Sequence, residues 1–117
     1  MTDAAKRRLL DALTACQAIA SFTEGLDFSG YEASLLVRSA VERQLEIVGE
    51  AVRRAEDEDA ALVERLPEVR QIVGLRNRII HGYDSVDDEV VWDVVQDKIP
   101  RLRALLAASL SAESDDE

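Results

Sequence analysis

The chain has 117 residues, two prolines, five glycines, few aromatic side chains and a formal net charge of −10. Its length suits one domain with a real core, small enough that a ligand site could need a second subunit, and the wealth of Leu, Ala, Val, Glu, Asp and Arg favours long amphipathic helices over a sheet sandwich. The charge excludes a surface that coats nucleic acid throughout, and the lone Cys16 excludes an internal disulfide or a cysteine-rich zinc site and points to a reducing, cytoplasmic setting.

The first helix is predicted from about residue 4 to 23, capped by Thr2 or Asp3 and ending near Gly25. Lys6, Arg7 and Arg8 ahead of LLDALTACQAIA superficially resemble a secretory leader. Asp11 and Gln17 interrupt that run, while Leu9, Leu13, Cys16 and Ala20 recur at helical spacing, so an amphipathic core helix explains it better. No segment is long enough to span a bilayer. After the loop LDFSG, a second helix is expected over roughly 31 to 55. Val37, Val41, Leu45, Val48, Val52 and Ala55 form its apolar stripe, and Leu36, Ala40, Ile47 and Ala51 broaden it.

The acidic run EDED at 56 to 59 is expected to open a short helical turn over 59 to 66, since carboxylates suit a helix N-terminus. Pro67 then starts a third helix that stops at Gly82, a residue suited to a left-handed cap. Ser85 and Asp88 resemble a capping box for a fourth helix, whose period runs through Val91, Val95, Ile99, Leu102 and Leu106 to about residue 110. Pro100 should kink or split it. Residues 112–117 read as a disordered acidic tail beyond a single domain, 1–111. The expected fold is all-α, an up-and-down bundle of four main helices with one short additional helix.

At the end of the third helix lies RNRIIHGY, residues 76 to 83, which holds the only histidine. At about 100° per residue, Val69, Ile72, Val73, Ile79 and Ile80 share one side of the helix. Arg76 points into the middle of that cluster, whereas Arg78 points nearly opposite. A desolvated guanidinium needs a carboxylate, a subunit interface or an anion. Asn77 and His81, four residues apart, share a flank. His81 also sits in the last turn, where the helix dipole favours its protonated form. Between Arg65 and His81 stand four arginines and one glutamate, so a small cationic site in an acidic body is possible. An arginine paired with Glu42 or Glu46 and a histidine that merely caps carbonyls would produce the same letters.

Arg76, four residues, His81, one residue, Tyr83 is similar to the Arg-x4–6-His signature of HEPN ribonucleases, and the HxY ending resembles the HepT-type toxins. SAVERQLEIVGEA, IVGLRNRIIHGYDSVDDEVVWDVV and KIPRL extend the resemblance from about residue 34 to 103. It implies a HEPN-like helical bundle that forms a homodimer, with Arg76 and His81 of both copies lining one cleft. It also implies metal-independent cleavage of RNA without a cofactor. His81 would be the general base or acid, Arg76 would clamp the scissile phosphate, and Asn77 would orient the phosphate or His81. Tyr83 would be the site of adenylylation by a cognate minimal nucleotidyltransferase antitoxin, unless the phenol simply packs over the turn. The rival reading is a non-catalytic helical module that binds a nucleotidyltransferase partner or a nucleotide. Glu42, Glu46 and Glu50, at i, i+4 spacing, read as a solvated or arginine-pairing face, because the Glu-x-x-His motifs of a di-iron bundle are missing. Tyr31 and Trp92 read as packing anchors.

Overall fold

The computed structural model describes residues 1–62, Gly74 and 87–115. Those residues are helical throughout apart from short connections: α1 (Asp3–Thr23), α2 (Phe28–Ala33), α3 (Leu35–Glu58), α4 (Asp88–Asp93), a π-helical turn (Val94–Lys98) and α5 (Ile99–Asp115). The expectation of an all-α bundle holds. The predicted 59–66 turn beyond Leu62, and the helix from Pro67 to Gly82 apart from Gly74, lie outside the described residues.

Helix α1 starts where Thr2 caps it, the threonine hydroxyl accepting from the Ala5 amide at 3.0 Å. It stops in a turn in which the Leu26 amide donates to the Thr23 carbonyl at 3.0 Å. Gly25, at φ +77°, takes the left-handed position that this type II-like turn needs. Ala5, Leu9, Ala12, Cys16 and Ile19 form the buried stripe. Ala20, expected in that stripe, is exposed, and Ile19 takes its place. The one buried polar side chain of α1, Thr23, donates its hydroxyl to the Ile19 carbonyl at 2.9 Å.

The sequence led us to expect a loop and then one helix from residue 31, but two helices occur here. Asp27 caps α2 by accepting from the Gly30 amide at 2.8 Å, and Ser34 caps α3 by accepting from the Val37 amide at 3.1 Å. Two side-chain caps seven residues apart break the chain direction between Ala33 and Leu35. Leu36, expected to widen the stripe, is therefore left exposed beside Leu35. Farther along α3, Val41, Leu45, Val48, Ala51, Val52 and Ala55 are buried as predicted.

α3 also runs farther than expected, to Glu58, and takes in most of the EDED run. These carboxylates crowd the end of a helix rather than a beginning, against the dipole. Arginine partners offset this: Arg53 reaches Asp57 at 3.5 Å and Glu50 at 3.2 Å, and Arg54 reaches Glu50 at 2.6 Å. The chain then turns at Asp59, whose Oδ1 accepts from the Ala61 amide at 3.1 Å, and Leu62 is fully buried.

Helix α4 is capped by Asp87, which accepts from the Glu89 amide at 2.9 Å, not by Ser85. Asp88, read as the distal partner of a capping box, is instead the first helical residue. Pro100, expected to kink or split the helix, leaves it continuous, with right-handed backbone at Asp93, Val94 and Ile99, but a π-helical turn precedes it. Pro100 lacks an N–H, and its ring needs the Gln96 carbonyl moved aside. The turn ahead of it widens, so that the Ile99 amide bonds the Val94 carbonyl, five residues back. Val91, Val95, Ile99, Leu102 and Leu106 are buried on both sides of this turn. α5 continues to Asp115, four residues into the stretch expected to be a tail.

The core lies mainly between α1 and α3, with α5 laid against α1. Cys16 sits inside it, fully buried, and desolvation pushes its thiol up to about 12, partly opposed by Arg103. It is a small, unreactive core residue. No helix among the described residues is long and apolar enough to cross a membrane.

Candidate functional site

Arg76, Asn77, His81 and Tyr83, the four residues singled out from sequence, lie outside the described residues. What the structure describes is the frame on either side. Upstream, Gly74 is helical and exposed, and a Cβ built on it would meet nothing within 4 Å. Downstream, α4 begins only five residues after Tyr83.

That first turn of α4 is held by two contacts. Asp88 faces Arg38 of α3 at 3.8 Å, with both side chains more than two-thirds buried. Trp92 leans on Tyr31 of α2, ring centroids 5.2 Å apart and tilted by 35°. Tyr31 is fully buried, so it and Trp92 are packing anchors, as predicted. Three elements thus meet where the chain leaves the RNRIIHGY segment.

Electrostatics make this junction unusual. Burial first, then the nearby Glu42 and Asp88 carboxylates, raise the Tyr31 phenol well above its ordinary range, with Arg38 opposing. Glu42 is likewise raised, by its own burial, then by Asp88 and Glu46, against the pull of Arg38. One guanidinium therefore serves two carboxylates and a phenol. Among the described residues, Tyr31 Oη and Arg38 Nε are buried without a hydrogen-bond partner. Such donors are costly to bury unsatisfied.

Sequence reading missed this cluster, although the signal that exposed Arg76 was available for it. At about 100° per residue, Arg38 falls roughly 60° from Val41 and close to Leu45, within the buried side of α3. It too is a charge set in an apolar stripe.

Of the other carboxylates on α3, Glu46 pairs with Arg43 at 3.0 Å and Glu50 with Arg53 and Arg54, the arginine-pairing face expected from their spacing. An open groove of about 460 Å³ between α1 and α3 is lined by Arg8, Arg43 and Arg54 against Asp11, Glu46 and Glu50. Its charges balance, so it does not amount to a cationic site for phosphate.

A family model described as ribonuclease HepT-like matches residues 12–109. Among similar proteins is one from Methanocaldococcus jannaschii named provisionally as an RNase, 33% identical over 100 residues, covering 84% of this chain and 89% of the relative. Another, from Thermococcus cleftensis, carries the name ribonuclease HepT, also provisionally, and is 33% identical over 98 residues, 84% of this chain and 88% of the relative. A third, from Caldanaerobacter subterraneus, is a provisionally named RNase, 28% identical over 101 residues, 86% of this chain and 89% of the relative. No solved structure matches significantly. The match spans α1 from residue 12, α2, α3, the whole RNRIIHGY segment and most of α5, and the chain belongs to the ribonuclease HepT-like family.

Proposed function

We propose that this chain is a metal-independent endoribonuclease, the toxin of a toxin–antitoxin pair, acting in the cytoplasm as a homodimer with a composite active site. The observation that carries this reading is the family match over residues 12–109, a range that includes the positions of Arg76, Asn77, His81 and Tyr83. The names of the relatives add support.

Cleavage of RNA without a metal needs a base to take the 2′-OH proton, an acid for the departing 5′-oxygen and positive charge for the crowded phosphorane. One chain supplies one imidazole. In a two-fold dimer, His81 of one copy takes the proton as the 2′-oxygen attacks phosphorus. His81 of the partner subunit then protonates the 5′-oxygen as its bond to phosphorus breaks. The products are a 2′,3′-cyclic phosphate and a free 5′-hydroxyl. Arg76 clamps the phosphate and Asn77 orients the phosphate or His81. Adenylylation of Tyr83 by a nucleotidyltransferase antitoxin would set a phosphate beside His81 and shut the site by bulk and repulsion.

Incubation with RNA in excess chelator tests the reading. Cleavage to cyclic-phosphate ends, lost in His81→Ala and absent on DNA, is the expected result. Intact RNA at every protein concentration would overturn it in favour of the non-catalytic module. Mass spectrometry of protein made with and without its nucleotidyltransferase partner tests Tyr83, and an unmodified tyrosine in both would remove that step.

A further inference from the structure

We propose that a cavity between α1 and α5 binds a short-chain carboxylate, its apolar tail inside and its carboxylate on Arg103. The site shares no residue with the RNA-cleaving reading and goes beyond it.

The cavity holds about 330 Å³. Cys16 of α1, Val95 of the π-helical turn and Ile99 of α5, all buried, form its inner wall. Ala20 of α1 and Pro100, Ala104 and Ala107 of α5, all exposed, form its rim. Alanines on both helices leave a gap that longer side chains would close. Among the described lining residues, Arg103 is the one that carries a charge.

Helix geometry explains why this arginine is unspent. Its neighbours three and four residues away are Ile99, Pro100, Leu106 and Ala107, none of which offers a carboxylate. Asp97, one helical turn farther back, is held by Lys98 at 3.7 Å and Arg101 at 3.2 Å. Among the described residues, no carboxylate lies within ion-pair distance of Arg103. Its charge is nonetheless felt inside the cavity, where it opposes the burial that raises the Cys16 thiol.

These features select the ligand. Ligand pockets run from roughly 300 to 1,000 Å³, so this one suits a short tail and not a long lipid. A single guanidinium matches one carboxylate, whereas a phosphate dianion would keep an unbalanced charge in a body of net charge −10. The Cys16 thiol, pushed up to about 12, stays protonated at neutral pH, so it offers apolar surface and not a covalent bond.

Octanoate is the probe, titrated below its micelle concentration into protein labelled at the alanine methyls and followed by NMR. The Ala20, Ala104 and Ala107 signals are expected to shift together and saturate on one curve. Arg103→Gln should raise the octanoate Kd about 5- to 10-fold. The same variant should bind neutral 1-octanol as wild type does, which shows the cavity intact. Ala107→Leu, which fills the mouth, should block both ligands, while Ala108→Leu, exposed and outside the lining, should match wild type. Shifts spread over the other alanines without saturation, an unchanged Kd in Arg103→Gln, or binding that survives Ala107→Leu would each overturn the proposal. Octanoate that does not bind at all would do the same and leave the groove to an apolar side chain of a protein partner.

Discussion

Glu42 shows how a single side chain can carry a measurable cost. Its carboxyl is raised chiefly by burial, then by the Asp88 charge, so ionising it is harder in the folded chain than in the unfolded one. The stability it contributes is therefore fully present below the unfolded value, about 4.3, and is lost as pH rises through the higher folded value. Glu42→Gln removes that loss. The variant should melt at a higher temperature than wild type at pH 7, and the difference should shrink as pH is lowered towards 4. A melting series against pH checks this, and a gap that widens in acid would contradict it. At this scale the sequence was partly legible. Cys16, Leu45 and Leu106 are core residues, as their spacing foretells. Arg38 was not legible, because pattern alone does not say that the Asp88 carboxylate arrives beside it from another element.

Among the helices, boundaries follow caps more closely than hydrophobic period. Asp27, Ser34 and Asp87 each accept an amide hydrogen two or three residues on, and each is followed at once by the first residue of a helix. Asp87→Ala should cost about 0.5–2 kcal/mol of stability, as loss of a capping side chain does. Ser85→Ala should cost far less, because Ser85 is not the cap. Denaturant titration of the two variants distinguishes them, and equal losses would count against the assignment. The short α2 was illegible for a physical reason. FSGYEA has no apolar period of its own, and it is helical because Asp27 caps its start and Tyr31 is buried against Trp92. A disturbance near Pro100 was legible, since a missing N–H acts regardless of what surrounds it.

For the molecule as a whole, a charge of −10 and a proposed cationic cleft are reconciled by distribution. The described arginines of α3 are largely spent on neighbouring carboxylates, whereas Arg65, Arg70, Arg76 and Arg78 stand in a stretch with one glutamate before His81. If two copies must meet to bring two imidazoles together, cleavage per mole of chain should fall on dilution in step with the loss of dimer. Sedimentation and RNA cleavage measured over the same concentrations check this, and full specific activity in a monomer would exclude a shared site. The bundle class was readable from composition and period, because burying one stripe per helix leaves few other arrangements. Which face would meet a second copy in the proposed dimer was not, since that depends on surface shape. The widened turn at Val94–Lys98 carries one last implication, for chain length. The bond from the Ile99 amide to the Val94 carbonyl spans five residues, and shortening that span by one would make it an ordinary α-helical bond. The protein thus stores a spare residue in its last helical stretch. Removing the exposed Gln96 together with Pro100→Ala should leave a cooperative fold, whereas excising the equally exposed Gln17 from α1 would swing every later side chain of that helix by about 100° and dismantle the core.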